Sequence, residues 1–219
     1  MNEIELLSWV RGPAFQIASI IFVAGVIIRI IEILMLGRKT NLAEAKGSAT
    51  LGGFRTIVTR SFPRKTTMQR SAFRIVAGYI FHIGLFVTIF LFAPHILVFE
   101  SISNLSWPSL PTEIIDAFAV VTIIALFLVI IDRYRNRVLR YLTNTGDILA
   151  WLVTILPLIT GYIAFHRIGT TAPTLISIHI LSVELFMVVF PFTKLMHTFT
   201  LFFARWHNGA ISGYRGVQS

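Results

Sequence analysis

Five segments of this chain are apolar over the roughly 17 to 25 residues that a helix needs to cross a ~30 Å hydrocarbon core, and nothing else in the sequence restricts the fold as tightly. They run at about 14–36, 72–99, 114–131, 148–165 and 176–203. A backbone crossing lipid has to satisfy its own hydrogen bonds, so the runs predict an all-α membrane protein: a five-transmembrane-helix bundle, residues 1–219 forming a single integral domain. With 55% hydrophobic and only 13% charged residues, the chain is too apolar for a soluble domain of 219 residues. No basic n-region and no small-residue cleavage site accompany the first run, which predicts a retained helix rather than a signal peptide.

Charge sets the expected orientation. Residues 37–71 hold Arg38, Lys39, Lys46, Arg55, Arg60, Arg64, Lys65 and Arg70 against Glu44 alone, and their Gly and Ser content predicts an irregular surface segment. Arg133, Arg135, Arg137 and Arg140 follow the third run, and Arg205 and Arg215 lie in the tail. The second connection has Glu100, Glu113, Pro108 and Pro111 but no Lys or Arg, and the fourth has only Arg167. The positive-inside rule then places the N-terminus outside and the C-terminus in the cytoplasm, as in a multi-pass protein of the inner (cytoplasmic) membrane. The net charge of +9 does not point to nucleic acid, because the aromatic residues sit inside the apolar runs rather than among the basic ones. The basic loops are instead available to membrane lipids with anionic headgroups or to a cytoplasmic partner.

The chain has no cysteine, which excludes disulfides, cysteine-ligated iron–sulfur clusters, thiol nucleophiles and covalently attached c-type haem. Any cofactor is left to His, Met, carboxylate or backbone. His179 and His197 bracket the last run; eighteen residues of helix return to the same face about 27 Å along the axis. With the predicted orientation, His82 lies toward the inside and His95 at the outer end of the second run. The histidines therefore pair by depth, His82 with His197 inside and His95 with His179 outside, each pair drawn from two helices. That is the arrangement of two bis-histidine b-type haems in a helical bundle, their irons held by these four axial ligands. A lone histidine in a span more often serves as a polar contact between helices. A tetrahedral zinc site would ask for three or four ligands at one point. His95 is the weaker member, since thirteen residues from His82 amount to about 220° of rotation, which a kink at Pro94 would have to correct. His166, at the outer end of the fourth run, is the competing outer ligand, and His207 reads as a solvated tail residue.

Other residues join this constellation. Gly78 and Ser182, one turn from His82 and His179, would let a porphyrin edge approach or simply let helices pack. Arg29 and Arg74 are candidates to neutralise haem propionates, Arg29 alternatively snorkelling or pairing with Glu32. Lys194 is expected to snorkel to the cytoplasmic interface. Glu184, about 140° around the helix from His179, points away from the ligand face, toward a proton-transfer role or a pairing with another helix. Glu100, Asp116, His166 and Arg167 gather at the outer surface, where titratable groups could receive the protons of quinol oxidation.

The octapeptide Phe-Pro-Phe-Thr-Lys-Leu-Met-His at 190–197, with His179 eighteen residues before its end, resembles the last span of the respiratory nitrate reductase gamma subunit family. Phe-His-Ile-Gly at 81–84 resembles that family's second span. Membrane subunits of sulfite-reductase-linked and heterodisulfide-reductase-like complexes are similar too. The resemblance implies two haem b, quinol as electron donor near the outer face, and a cytoplasmic iron–sulfur subunit as partner. It implies His82 and His197 for the inner haem and His179 for the outer. The family's fourth ligand falls where this chain has Phe92, so His95 or His166 must take its place. The family's lysine soon after the second span has no counterpart before Asp132. The expected function is an electron-transfer subunit of a quinol-oxidising respiratory complex, with electron flow in the opposite direction left open. The alternative is a haem-free anchor or transport component whose histidines are structural or conduct protons.

Overall fold

The computed structural model describes residues 2–37, 42 and 44–217, and among them it is helical with no strand; Arg38 and Lys39 lie outside the described residues. The first rod is continuous from Glu3 to Met35, built from α1 (Glu3–Trp9), a π-helical turn (Val10–Ala14) and α2 (Phe15–Met35). Asn2 and Glu5 form a capping box that fixes its start. Pro13 lies inside the π turn, where its missing N–H accompanies a slip in the hydrogen-bond ladder. α4 (Lys65–Phe90), α6 (Thr112–Arg135), α8 (Thr145–Phe165) and α9 (Ala172–Val189, extended by a 3-10 turn to Phe192) complete a set of five helices long and apolar enough to cross a membrane. Large side chains such as Ile20, Ile28, Ile83 and Ile124 face outward, as lipid-facing positions should.

The helices pack in the order α4, α6, α8, α9, α2, with α1 also against α9. Small residues set the close approaches. A Cβ on Gly84 would run into Thr122, which is wholly buried, and one on Gly25 would lie 2.6 Å from Pro191 Cβ. α4 and α9, by contrast, make no close backbone approach among the described residues.

Three sequence expectations need correction. The run 72–99 is two helices: α4 stops at Phe90, the chain turns at Leu91 and Phe92, and α5 (Ala93–Ser103) starts afresh with Pro94 in its first turn. Pro94 opens a helix here, the position where its missing N–H does no harm, rather than kinking one. The run 176–203 is likewise broken. α9 ends before Pro191, Thr193 is extended (φ −125°, ψ 179°), and α10 (His197–Tyr214) begins at the histidine itself. The segment 37–71 is not irregular throughout: α3 (Ala49–Thr59) lies antiparallel on α10, with Gly52 against Gly209 and Gly213, and Gly53 against Trp206. The short α7 (Arg137–Leu142) follows α6.

One end of the bundle gathers the basic residues, and four of them are held in ion pairs. Arg29 meets Glu32 at 2.8 Å, Arg74 meets Asp132 at 2.9 Å, and Asp147 receives both Arg133 at 2.8 Å and Lys194 at 2.7 Å. Lys194, expected to snorkel to the interface, reaches Asp147 at the start of α8.

Candidate functional site

Two histidine pairs link α4 and α5 to the α9–α10 segment of the bundle. His82, in the middle of α4, lies with its ring centroid 5.9 Å from that of His197, the planes nearly perpendicular at 88°. His95, in the first turn of α5, lies 6.1 Å from His179 of α9, the planes 20° apart. Of the two candidates for the partner of His179, it is His95 that stands beside it. The reason is the break at Leu91 and Phe92, which re-aims α5; His95 reaches back over the break to place Nδ1 2.8 Å from the Thr88 carbonyl. The rotation argument, which assumed one helix, does not apply to two.

Each ring is held through the same atom. Nδ1 of His82 lies 2.7 Å from the Gly78 carbonyl, and Nδ1 of His197 lies 2.7 Å from the Lys194 carbonyl. Nδ1 of His179 lies 3.3 Å from Thr160 Oγ1 on α8. An Nδ1–H donated to a fixed oxygen selects the tautomer whose Nε2 lone pair is available, the usual preparation of a metal-ligating imidazole. The four Nε2 atoms have no hydrogen-bond partner among the described residues.

The spacing can be tested against the expected group. Two imidazoles bound to one metal through nitrogen at ~2 Å on opposite faces put their centroids about 6 Å apart, whatever the angle between the rings. Both pairs meet this. The pairs stay pairs, since among the described residues no three His, Cys, Asp or Glu converge as a tetrahedral zinc site would need. Space beside the rings is consistent with a flat ligand: a Cβ on Gly78 would meet nothing within 4 Å. Gly161 has the opposite role, since a Cβ there would lie 2.9 Å from His179 Cε1; glycine lets the ring seat against α8. Ser182 does not open space, as its Oγ donates to the His179 carbonyl at 2.6 Å and lies 2.8 Å from Thr160 Oγ1, tying α9 to α8.

The remaining candidates divide. At the end of the bundle opposite the basic one, His166 Nε2 lies 3.3 Å from Asp116 Oδ2, both about one third exposed. Tyr162 packs on the His166 ring with centroids 4.4 Å apart. Phe165 neighbours His166, Phe92 neighbours Phe165, and Phe92 also neighbours His95, so an aromatic path joins the His166–Asp116 pair to the second histidine pair. Glu100 and Arg167 are exposed and join no hydrogen bond or ion pair with them. Arg74 is engaged by Asp132, and Arg29 by Glu32 and by the Pro191 carbonyl at 3.2 Å. Arg29, Glu32, Pro191, Thr193 and Thr200 line a cleft of about 240 Å³ at the basic end. His207 is exposed on α10, as a solvated residue should be. Sequence reasoning missed the roles of Thr160, Gly161 and Phe92, because each depends on a neighbouring helix.

The chain is 28% identical over 209 residues to a curated protein of Nitratidesulfovibrio vulgaris described only as a protein, a match covering 91% of this chain and 90% of the other. No family model and no solved structure matches the chain.

Proposed function

We propose that this protein is a di-haem cytochrome b, a membrane subunit that carries electrons between quinol and a cytoplasmic iron–sulfur partner. The observation that carries the reading is the pair of histidine pairs, each with centroids about 6 Å apart and every Nδ1 held so that Nε2 is free. His82 and His197 would hold one haem and His95 and His179 the other, each group supplying a one-electron carrier when bound. The chain's own contribution is to fix the four rings, exclude water with apolar helix faces, and present the His166–Asp116 pair near the second site. There Asp116 orients His166 Nε2, leaving Nδ1 to accept a proton released on quinol oxidation. Glu100 lies at the same end and is the secondary candidate for that proton's exit, and Arg167 supplies a permanent positive charge there. The positive-inside rule supports an outward N-terminus, a cytoplasmic basic end and residence in the inner membrane. The resemblance of residues 81–84 and 190–197 to nitrate reductase gamma subunits supports the same assignment.

The test is a reduced-minus-oxidised spectrum and a haem count on the purified protein. Two haems per chain and a b-type band are expected, falling to one haem in His95→Ala and remaining two in His166→Ala. A protein without the band, folded and membrane-inserted, would instead be the haem-free anchor or transport component.

A further inference from the structure

Glu184 is a buried carboxyl that neither the two histidine sites nor the ion pairs use. It is 7% exposed, and its Oε1 is buried without a hydrogen-bond partner among the described residues. An ionised carboxylate left unpaired away from water loses several kcal/mol of solvation, so in a membrane helix such a group is retained for work it does with a proton. The structure also supplies a route to it.

α9 runs parallel to the first rod, tied to it at one end by Thr171 donating to Glu3 and at the other by Arg29 donating to the Pro191 carbonyl. Gly25 touches Pro191, and stepping back seven residues on each helix brings Glu184 level with Ala18, itself 3% exposed. Glu184 therefore lies inside the seam between the first rod and α9. One turn nearer the basic end is the Met187 carbonyl, to which Pro191 has no N–H to return. A turn beyond that is the cleft lined by Arg29, Glu32, Pro191 and Thr193. Val26 and Phe190, with Phe22 packed against them, form an apolar cluster where the first rod meets the end of α9.

The charged or titratable groups on the elements around Glu184 are few. Glu3, Glu5 and Arg11 lie at the far end of the first rod, and Arg29 and Glu32 at the cleft; α8 offers Asp147, held by Arg133 and Lys194, and Tyr162, packed on His166; His179 sits on α9 itself. None bonds to Glu184.

We infer that Glu184 is a proton-exchange site served from the basic end of the molecule through the Arg29–Glu32 cleft, giving its proton to water there and taking one back. This does not depend on haem. Dicyclohexylcarbodiimide, an apolar reagent that reacts with protonated carboxyls, tests it on the full-length protein in uniformly oriented proteoliposomes, with adducts located by mass spectrometry. With both faces at neutral pH, Glu184 should be the membrane carboxyl modified. Raising the pH only at the basic face should cut the modification about five-fold or more, while raising it only at the opposite face should leave it unchanged. Glu184→Asp should retain an adduct at the position and Glu184→Gln should lose it. An unmodified Glu184, or modification that follows the opposite face or neither face, overturns the inference, and because the decisive measurement uses the unaltered chain, a poorly folding variant does not blur it.

Discussion

At the scale of single residues, the site is defined less by the four histidines than by the oxygens behind them. Three of the four are backbone carbonyls, from Gly78, Thr88 and Lys194, and the fourth is the Thr160 hydroxyl. Only the fourth can be deleted by mutation. Thr160→Val should therefore loosen the His179 ring, together with the Ser182 tie behind it, and we expect a shifted potential or partial loss at one haem with the other unchanged, read by redox titration of the two b-type bands. Gly161→Val should act on the same ring by collision, removing one haem of two in the pyridine-haemochrome count. The histidines themselves were legible in the sequence because ionisable side chains in apolar runs are rare. Their supporting oxygens were not, since a carbonyl has no sequence signature and Thr160 belongs to a different helix.

At the scale of elements, the helix breaks do the positioning. Five apolar runs announced five spanning helices, and these are present, but hydropathy is blind to where a run changes direction. Phe92 and Thr193 are both extended residues that end one helix and start another close to one of the paired histidines. Pro94 and Pro191 were the visible hints; a proline in a run marks a helix boundary as readily as a bend. Residue pairing by depth thus came out with the same partners as the structure, although the single continuous helix from His179 to His197 on which part of it rested is not there. α3 and α10 also had a signal that went unread: Ser48, Gly52 and Thr56 recur every four residues, as do Gly209 and Gly213, the small-residue spacing that lets two helices touch backbone to backbone. Gly52→Val or Gly213→Val would press a side chain into the facing backbone and should cost about 1–3 kcal/mol, seen as a lower unfolding temperature in detergent and faster proteolysis between α2 and α4.

At the scale of the molecule, charge and packing are coordinated. Asp147, at the start of α8, joins Arg133 in the last turn of α6 to Lys194 after α9, so one carboxylate fastens three elements at the basic end. It is 11% exposed, and Asp147→Asn would leave two cations without their partner; we expect a loss of about 1–3 kcal/mol by chemical denaturation in detergent, smaller at high salt. Reporter fusions placed at Trp107 and after Arg215 should read opposite sides of the membrane, the first outside. The α3–α10 contact has a consequence for how the protein is made. α3 belongs to the first loop and α10 follows α9, so during synthesis α3 waits, with its glycine face bare, until all five long apolar helices have emerged. A chain truncated before Gly209 would keep all five long apolar helices while its first loop never finds its partner.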